Sequence, residues 1–368
     1  MPHTLLIDNW TLQNAGELLC GGLDGETTSD LVFTKNGASY RYDKVSADTV
    51  RFEALCQFLN NLVFADNLFV DEMYADAWES FPPIKAAHTA KILVTKPFKD
   101  VMDEWIKARE VMADRLCVNS PLLKQHRKNK RTYAEYGKAD DGFLSQLVWG
   151  GAGMLARADY FRLPYVPHPS RERLFRRASF MLGPSAGARL SEFITSERLK
   201  IFKRIDGSGF FTSMHLPPVA VQIIDAASGT TDIIKTALQV RDNYSALRKW
   251  LSKFQQALDG ENMKEILAHG KALQSVARYV DSYSLLTPVG DTSLQFGLSW
   301  LKVGVKCGSP VNAIKNLFGM RAELNRLILA PAGHNSLNKF LRMLGEQHTK
   351  RGRVFKDEFL KRTSEGRG

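Results

Sequence analysis

The chain has 368 residues, of which 44% are hydrophobic and 24% charged, and its net charge is +11. This composition is typical of a folded protein of one or two domains and excludes a disordered chain. The four cysteines lie far apart and form neither a CxxC pair nor a Cys/His cluster, which argues against a zinc module or a disulfide framework and favours a cytoplasmic protein.

The N-terminal segment MPHTLLIDNW has no basic region, and Asp8 interrupts its apolar run, so we do not expect a signal peptide. No window of the sequence approaches about 18 uninterrupted apolar residues, so we predict no membrane span.

The first hundred residues alternate between short apolar runs and helical patterns. This order of strand, helix and strand predicts a small acidic α/β or α+β unit over residues 1–98. Its predicted elements are strands at 4–7, 68–70 and 91–95, helices at 11–20 and 47–64, and a hairpin at 31–42 around Asn36-Gly37.

From residue 99 onward the pattern is helical, and short polar turns join the helices as in an antiparallel bundle. We therefore predict a mainly α protein, in which the small N-terminal α/β unit packs on a basic helical-bundle body of residues 99–368. The predicted helices are 100–116, 143–158, 191–204, 219–227, 231 or 232 to about 258, 263–283, 311–329 and 335–344. Residues 294–305 fit either a hairpin or a Gly-rich helix.

Charge is distributed unevenly along the chain. Residues 1–80 carry four basic and thirteen acidic side chains, a balance of −9, and the remainder carries 46 basic and 26 acidic side chains, a balance of +20. The two parts can attract each other, and the basic part can also attract a polyanion.

The stretch 147–177 combines an apolar segment, a proline-rich segment and a run of arginines. Its glycines permit a close approach of backbones, and its prolines predict a rigid, extended strap over residues 163–169. Ser170 is expected to cap the helix that follows. The residues concerned are Gly150, Gly151, Gly153, Pro164, Pro167, Pro169, Arg171, Arg173, Arg176 and Arg177.

Carboxylates follow two of the predicted strands. Asp8 comes directly after LLI, and Asp71 and Glu72 come directly after LFV. In open α/β sheets ligands bind at the carboxyl ends of the strands, and grouped carboxylates there can hold Mg²⁺ or Mn²⁺. We therefore treat these three residues as candidate metal ligands and catalytic residues for phosphodiester hydrolysis. The alternative is that each Asp caps a turn or a helix.

This layout resembles that of PIN-type metal-dependent ribonuclease domains, in which an Asp closes the first strand. The resemblance covers about the first quarter of the chain. It implies further acidic residues after the middle strands, for which Asp76 and Asp103 are candidates.

His168 is the histidine that stands out, because Pro167 and Pro169 bracket it in the strap and Arg171 lies close in sequence. Like charge would disfavour its protonation and leave a neutral base suited to RNA cleavage. The alternative is that His168 fastens the strap to the core by a hydrogen bond.

Clusters of basic residues are the candidate nucleic-acid contacts, since Arg and Lys bind phosphates and nearby aromatic rings can stack on unpaired bases. The alternative is that they are solvated helix faces, or that they pair with the acidic N-terminal part. The candidates are Lys128, Lys130, Arg131, Arg171, Arg173, Arg176, Arg177, Lys203 and Arg204, with the rings of Tyr133, Tyr136, Tyr160, Phe161 and Tyr165.

No P-loop and no GxSxG motif is present in the sequence, so we predict no nucleotide cofactor. The leading hypothesis is a protein that interacts with RNA or single strands, with metal-dependent nuclease activity as its catalytic extension. The alternative is a non-catalytic adaptor whose basic helical surface binds an acidic protein. Residues 294–344 fit either a layer of the helical core or a surface for a membrane or a partner. The sequence does not indicate an oligomeric state.

Overall fold

The computed structural model describes residues 4–33, 40–98, 102–117, 121–129, 142–161, 163, 165–172, 174, 219–245, 248–249, 252–253, 256, 265, 331–345 and 349–365. These residues are mostly helical, and a small parallel sheet forms near the N-terminus. The prediction of a mainly α protein with an N-terminal α/β unit is confirmed. Most of the predicted bundle after residue 174 lies outside the described residues.

The helices and strands follow one another in an order close to the predicted one. In chain order they are β1 (Thr4–Ile7), α1 (Asn9–Gly21), β2 (Thr27–Phe33), β3 (Tyr40–Ser46), α2 (Ala47–Phe64), β4 (Asn67–Asp71), a 3₁₀ turn (Glu72–Tyr74), α3 (Asp76–Glu79), α4 (Pro82–Thr89), β5 (Leu93–Lys96), α5 (Met102–Cys117), α6 (Pro121–Asn129), α7 (Gly142–Ser145), a π-helical turn (Gln146–Gly150), α8 (Gly151–Phe161), β6 (Tyr165–Val166), α9 (Val219–Ala226), a 3₁₀ turn (Thr230–Asp232), α10 (Ile233–Asn243), α11 (Pro331–Met343) and α12 (Lys350–Glu365).

Four strands form a parallel sheet in the order β5-β4-β1-β6. Leu6 of β1 is in register with Phe69 of β4 on one side and with Tyr165 of β6 on the other. Because all four strands run in the same direction, their carboxyl ends meet at one edge of the sheet. The predicted strap thus contains a short sheet strand, β6.

The sheet separates two hydrophobic cores, as the alternation of side chains along a strand requires. Leu5 and Ile7 of β1 belong to a core shared with helices α1, α2, α4 and α9–α12. Leu6, which points the other way, belongs to a core built from α5–α8. Strands buried on both faces explain the continuous apolar runs in the sequence.

The hairpin predicted around Asn36-Gly37 is present as the antiparallel pair β2-β3, in which Phe33 is in register with Tyr40. The turn between the two strands lies outside the described residues. The hairpin forms a separate two-stranded sheet.

The C-terminal helices pack into the core of the N-terminal unit. The ring of Phe52 on α2 lies 5.0 Å from that of Phe340 on α11, and 5.7 Å and 5.1 Å from those of Phe355 and Phe359 on α12. The first core therefore combines residues from both sides of the boundary predicted at residue 98, and that boundary stays a prediction.

Helix α10 ends at Asn243, where a turn at Tyr244 interrupts the helix predicted to run to about residue 258. Two buried arginines near this turn donate hydrogen bonds to backbone carbonyls at the C-terminus of α2. Arg241 donates to the carbonyls of Leu62 (2.6 Å) and Asp66 (2.8 Å), and Arg248 donates to that of Val63 (3.1 Å). These side chains satisfy carbonyls that the last turn of a helix leaves without partners.

A glycine allows helix α1 to approach Phe81 closely. A Cβ at Gly16 would lie 2.9 Å from the Cβ of Phe81 and closer still to its ring. We expect Gly16→Ala to destabilise the protein by about 1–3 kcal/mol, because even the Cβ of Phe81 lies too close and a change of rotamer cannot remove the clash. Urea denaturation would measure this change.

Gly21 provides the matched control, since it ends the same helix and a Cβ there would meet nothing within 4 Å. Gly21→Ala is expected to leave the free energy of unfolding unchanged or to raise it by less than about 1 kcal/mol through helix propensity. Equal destabilisation in the two variants would contradict the packing explanation.

Candidate functional site

The carboxyl edge of the parallel sheet brings together residues that are far apart in the sequence. Asp8 follows β1, Asp71 ends the neighbouring strand β4, and Lys96 ends β5 in register with Asp71. His168 follows β6 on the other side of β1. The structure therefore places Asp8 and Asp71 at the same edge, on adjacent strands.

Asp8 is fully buried, and both its oxygens are engaged by donors. Oδ1 accepts from the backbone N–H of Trp10 (3.0 Å) and from Nη1 of Arg171 (2.6 Å). Oδ2 accepts from the hydroxyl of Tyr165 and from the backbone N–H of His168 (3.0 Å). These four bonds use the acceptor capacity of an ionised carboxylate.

The charge state of Asp8 follows from these contacts. Burial alone would raise the pKa of the carboxyl group, but the attraction of Arg171 and the hydrogen bonds from Tyr165 and His168 outweigh it. The pKa of Asp8 therefore lies below its usual value, and the group is an anion neutralised by Arg171. Asp8 also caps α1 through Trp10, which is the alternative role that a strand-ending Asp suggests.

Asp71 forms a second buried pair with an arginine that the sequence did not single out. Its Oδ1 accepts from the backbone N–H of Met73 (3.0 Å) and caps the 3₁₀ turn, and its Oδ2 accepts from Nε of Arg157. Both side chains are almost completely excluded from solvent. Glu72, the next residue, is exposed.

Arg157 lies among aromatic rings. Its guanidinium carbon is 4.0 Å from the ring centre of Trp105, 5.0 Å from that of Tyr74 and 5.3 Å from that of Phe98. A planar guanidinium can pair with a carboxylate and lie over rings at the same time. A sequence signal did exist, since Arg157 interrupts the apolar run of α8.

Two glycines of the stretch 147–177 make room for arginine side chains. A Cβ at Gly150 would lie 2.7 Å from Nη2 of Arg171, and a Cβ at Gly153 would lie 3.0 Å from Nε of Arg109. From the sequence, the glycines are expected to let two backbones approach each other. At these two positions an arginine guanidinium approaches the glycine instead. Arg171 is buried over the ring of Trp10 at 3.9 Å, so its guanidinium faces the interior and not a phosphate.

His168 fastens the strap to the helices. Its Nδ1 accepts from the backbone N–H of Ser170 (3.3 Å), and its Nε2 lies 3.0 Å from Oδ1 of Asn14 on α1. Nearby, Gln57 on α2 donates to the carbonyl of Pro167 (2.8 Å). Both ring nitrogens thus make contacts within the protein, as the alternative role of His168 requires.

The cap of the helical turn after the strap is His168 and not Ser170. Residues 169–172 are helical, and the backbone N–H of Glu172 donates to the carbonyl of His168 (2.8 Å). Pro169 takes the first helical position because its fixed φ suits a helix start and its missing N–H is not needed there.

The described residues include no group of three His, Cys, Asp or Glu side chains placed to hold a metal ion. Asp8 and Asp71 direct their lone pairs at N–H and O–H donors, so neither is arranged as a metal ligand in this conformation. Coordination of Mg²⁺ or Mn²⁺ by Asp8, Asp71 and Glu72 stays a prediction that would require both arginines to leave.

Most of the predicted phosphate contacts lie outside the described residues. Lys128 lies on α6, and the ring-bearing residues Tyr160 and Tyr165 lie on α8 and β6. The candidates outside the described residues are Lys130, Arg131, Tyr133, Tyr136, Arg173, Arg176, Arg177, Lys203 and Arg204.

Exposed apolar side chains adjoin the Asp71–Arg157 pair. Met73 is 53% exposed, and its sulfur lies 3.6 Å from Nη2 of Arg157. Tyr160 is 55% exposed, and its ring centre lies 4.7 Å from that of Phe98. Lys96 is also exposed, with Nζ 4.6 Å from the ring centre of Phe69. This edge thus presents apolar, aromatic and cationic groups to solvent, together with the acidic Glu72.

Within the part of the chain that the structure describes, no helix has the length and apolar character needed to cross a bilayer. No protein-family model matches this chain, and no curated protein and no solved structure matches it either. The resemblance to PIN-type domains therefore stays a prediction, and any assignment of function rests on the residues of the sheet edge.

Proposed function

We propose that this chain binds nucleic acid, RNA or single strands, at the carboxyl edge of its parallel sheet and through the basic segments that follow in sequence. One observation carries the proposal. Asp8 and Asp71, the two buried carboxylates of this edge, are each neutralised by an arginine, and Lys96, in register with Asp71, is exposed. The edge therefore suits an anionic ligand better than a bare metal cation.

The charge of the whole chain supports the same ligand class. A net charge of +11 attracts polyanions over distances comparable to the Debye length. Arg173, Arg176 and Arg177 follow Arg171 closely in sequence and belong to this positive charge. Glu72, which directly follows Asp71, is an exposed acid, so we expect the phosphate contact at Lys96 and not at Glu72.

Metal-dependent phosphodiester hydrolysis is the second candidate function. It is favoured by the position of Asp8 and Asp71 on adjacent strands, where ligands of open α/β sheets bind. It requires metal ions to replace both arginines as partners of the carboxylates. The candidate is tested by incubating the protein with RNA and Mg²⁺ or Mn²⁺, and absence of metal-dependent cleavage removes it while leaving the binding proposal intact.

The binding proposal predicts a steep dependence on salt, because phosphate contacts release counterions. We expect the affinity for a labelled single-stranded RNA to fall linearly on a log–log plot against salt concentration, as measured by fluorescence anisotropy. Lys96→Gln should reduce the slope by about one, the effect of one lost phosphate contact.

Lys85→Gln is the control, because Lys85 is an exposed lysine on α4 and not at the sheet edge. Its slope should equal that of the unmodified protein. Absence of binding at low salt, together with purification in complex with an acidic protein, would favour the adaptor hypothesis instead.

A further inference from the structure

We propose that the ligand of this edge is single-stranded and that one of its unpaired bases stacks on the exposed ring of Tyr160. This inference rests on the proposed function and adds to it a site and a ligand class. Proteins that bind single strands combine an exposed aromatic ring for a base with a cation for the backbone, and the sheet edge offers Tyr160 and Lys96.

The position of the exposed apolar residues is the first argument. Among the described residues the large exposed apolar side chains are Tyr42, Met73, Val111, Tyr160 and Val354. Two of these five, Met73 and Tyr160, adjoin the Arg157 cluster at the sheet edge. Exposed apolar groups are usually scattered, so their concentration where open α/β sheets bind ligands indicates a binding surface.

The support of the Tyr160 ring is the second argument. Its centre lies 4.7 Å from that of Phe98 at an interplanar angle of 56°, and 5.2 Å from that of Phe161 at 81°. Neither of these two rings is stacked parallel on that of Tyr160, and Tyr160 is 55% exposed. Phe98 in turn packs on Trp105 at 4.7 Å, which anchors the exposed ring to buried ones.

Electrostatics is the third argument. Behind the aromatic rings Arg157 is paired with Asp71, so the support of the platform carries no net charge. Lys96 ends the strand that leads directly to Phe98 and offers a cation for a phosphate beside the stacked base. Asp159 precedes Tyr160 and is exposed, and its negative charge would repel a phosphate. We therefore expect the bound RNA strand to run from Tyr160 toward Lys96 and away from α8.

A flat apolar face next to an anion is the chemistry of an unpaired nucleotide. In a duplex the faces of the bases are covered by their neighbours, and a ring such as that of Tyr160 can reach them only at an end or a bulge. Stacking would therefore make the protein prefer single strands over duplexes, whereas charge alone would not.

The experiment compares single-stranded and duplex RNA of equal length by anisotropy, with four forms of the protein. The unmodified protein should prefer the single strand, and Tyr160→Ala should weaken single-strand binding by roughly 5- to 150-fold, the range for one stacked base. Tyr160→Phe, which keeps a ring, should bind as the unmodified protein does. Tyr42→Ala removes another exposed tyrosine, one that packs on Phe143, and should have no effect.

A second measurement needs no variant. A single strand carrying 2-aminopurine should lose fluorescence when the base stacks on the protein, and the loss should saturate with binding. Salt-dependent binding that is equal for duplex and single strand and is unchanged in Tyr160→Ala would overturn the stacking inference and leave the proposed function standing. Failure of the unmodified protein to bind either RNA would overturn both.

Discussion

Replacing Asp8 with asparagine is expected to reduce the free energy of unfolding by about 3–5 kcal/mol. The change leaves the guanidinium of Arg171 buried without its counter-ion. The hydroxyl of Tyr165 and the backbone N–H of His168 now donate to a carboxylate oxygen. In the variant an amide N–H₂ would face these donors and could not accept from them. Urea denaturation followed by circular dichroism would measure the loss.

Two variants show whether the loss comes from the buried pair. Asp76→Asn changes an exposed aspartate and should alter stability by less than about 0.5 kcal/mol. The double variant Asp8→Asn/Arg171→Met should lose less than the sum of its single variants, because the unpaired charge is gone. Additive losses would show that Asp8 and Arg171 act independently, against the contact seen here.

The same pair gives the fold a defined response to acid. The folded-state pKa of Asp8 lies below the unfolded value of about 3.9. Its contribution to stability is therefore complete above that unfolded value and is lost as the pH falls through the lower folded value. The stability difference between the unmodified protein and Asp8→Asn should be constant near neutral pH and should shrink below about pH 4.

Local patterns predicted the sheet edge well, because strands and caps are encoded by neighbouring residues. The apolar runs before Asp8 and Asp71 located β1 and β4, and both aspartates were placed at strand ends. Their partners could not be predicted in this way. Arg157 lies 86 positions from Asp71 and Arg171 lies 163 positions from Asp8, so the pairs meet only because α8 packs on the sheet and β6 pairs with β1.

The role of the basic residues shows why charge is a weak guide to a surface. Arg157 and Arg171 neutralise buried carboxylates, and Arg241 and Arg248 complete the C-terminus of α2. All four arginines are buried and are not available to contact phosphate. The local sequence pattern predicts Arg171 as a phosphate contact, because nothing in it distinguishes a buried arginine from an exposed one.

Arg157→Met is the second substitution for which we expect a large effect, a loss of about 3–5 kcal/mol in the free energy of unfolding. The methionine leaves Asp71 buried with one backbone donor, and it removes the guanidinium that lies over Trp105. Arg157→Lys should also destabilise the protein, since an ammonium group lacks the planar fork that both contacts use. Arg115→Met, at an exposed position on α5, is the control and should stay within about 0.5 kcal/mol of the unmodified protein.

This substitution also connects the buried pair to the proposed binding surface. Arg157 contacts both Met73 and Phe98, and Phe98 supports the ring of Tyr160. We therefore expect folded Arg157→Lys protein to bind single-stranded RNA more weakly, although Arg157 itself is buried and cannot touch the ligand. Unchanged stability in Arg157→Met would show that Asp71 finds another partner, and the carboxyl edge would then be free to rearrange in the way that metal binding requires.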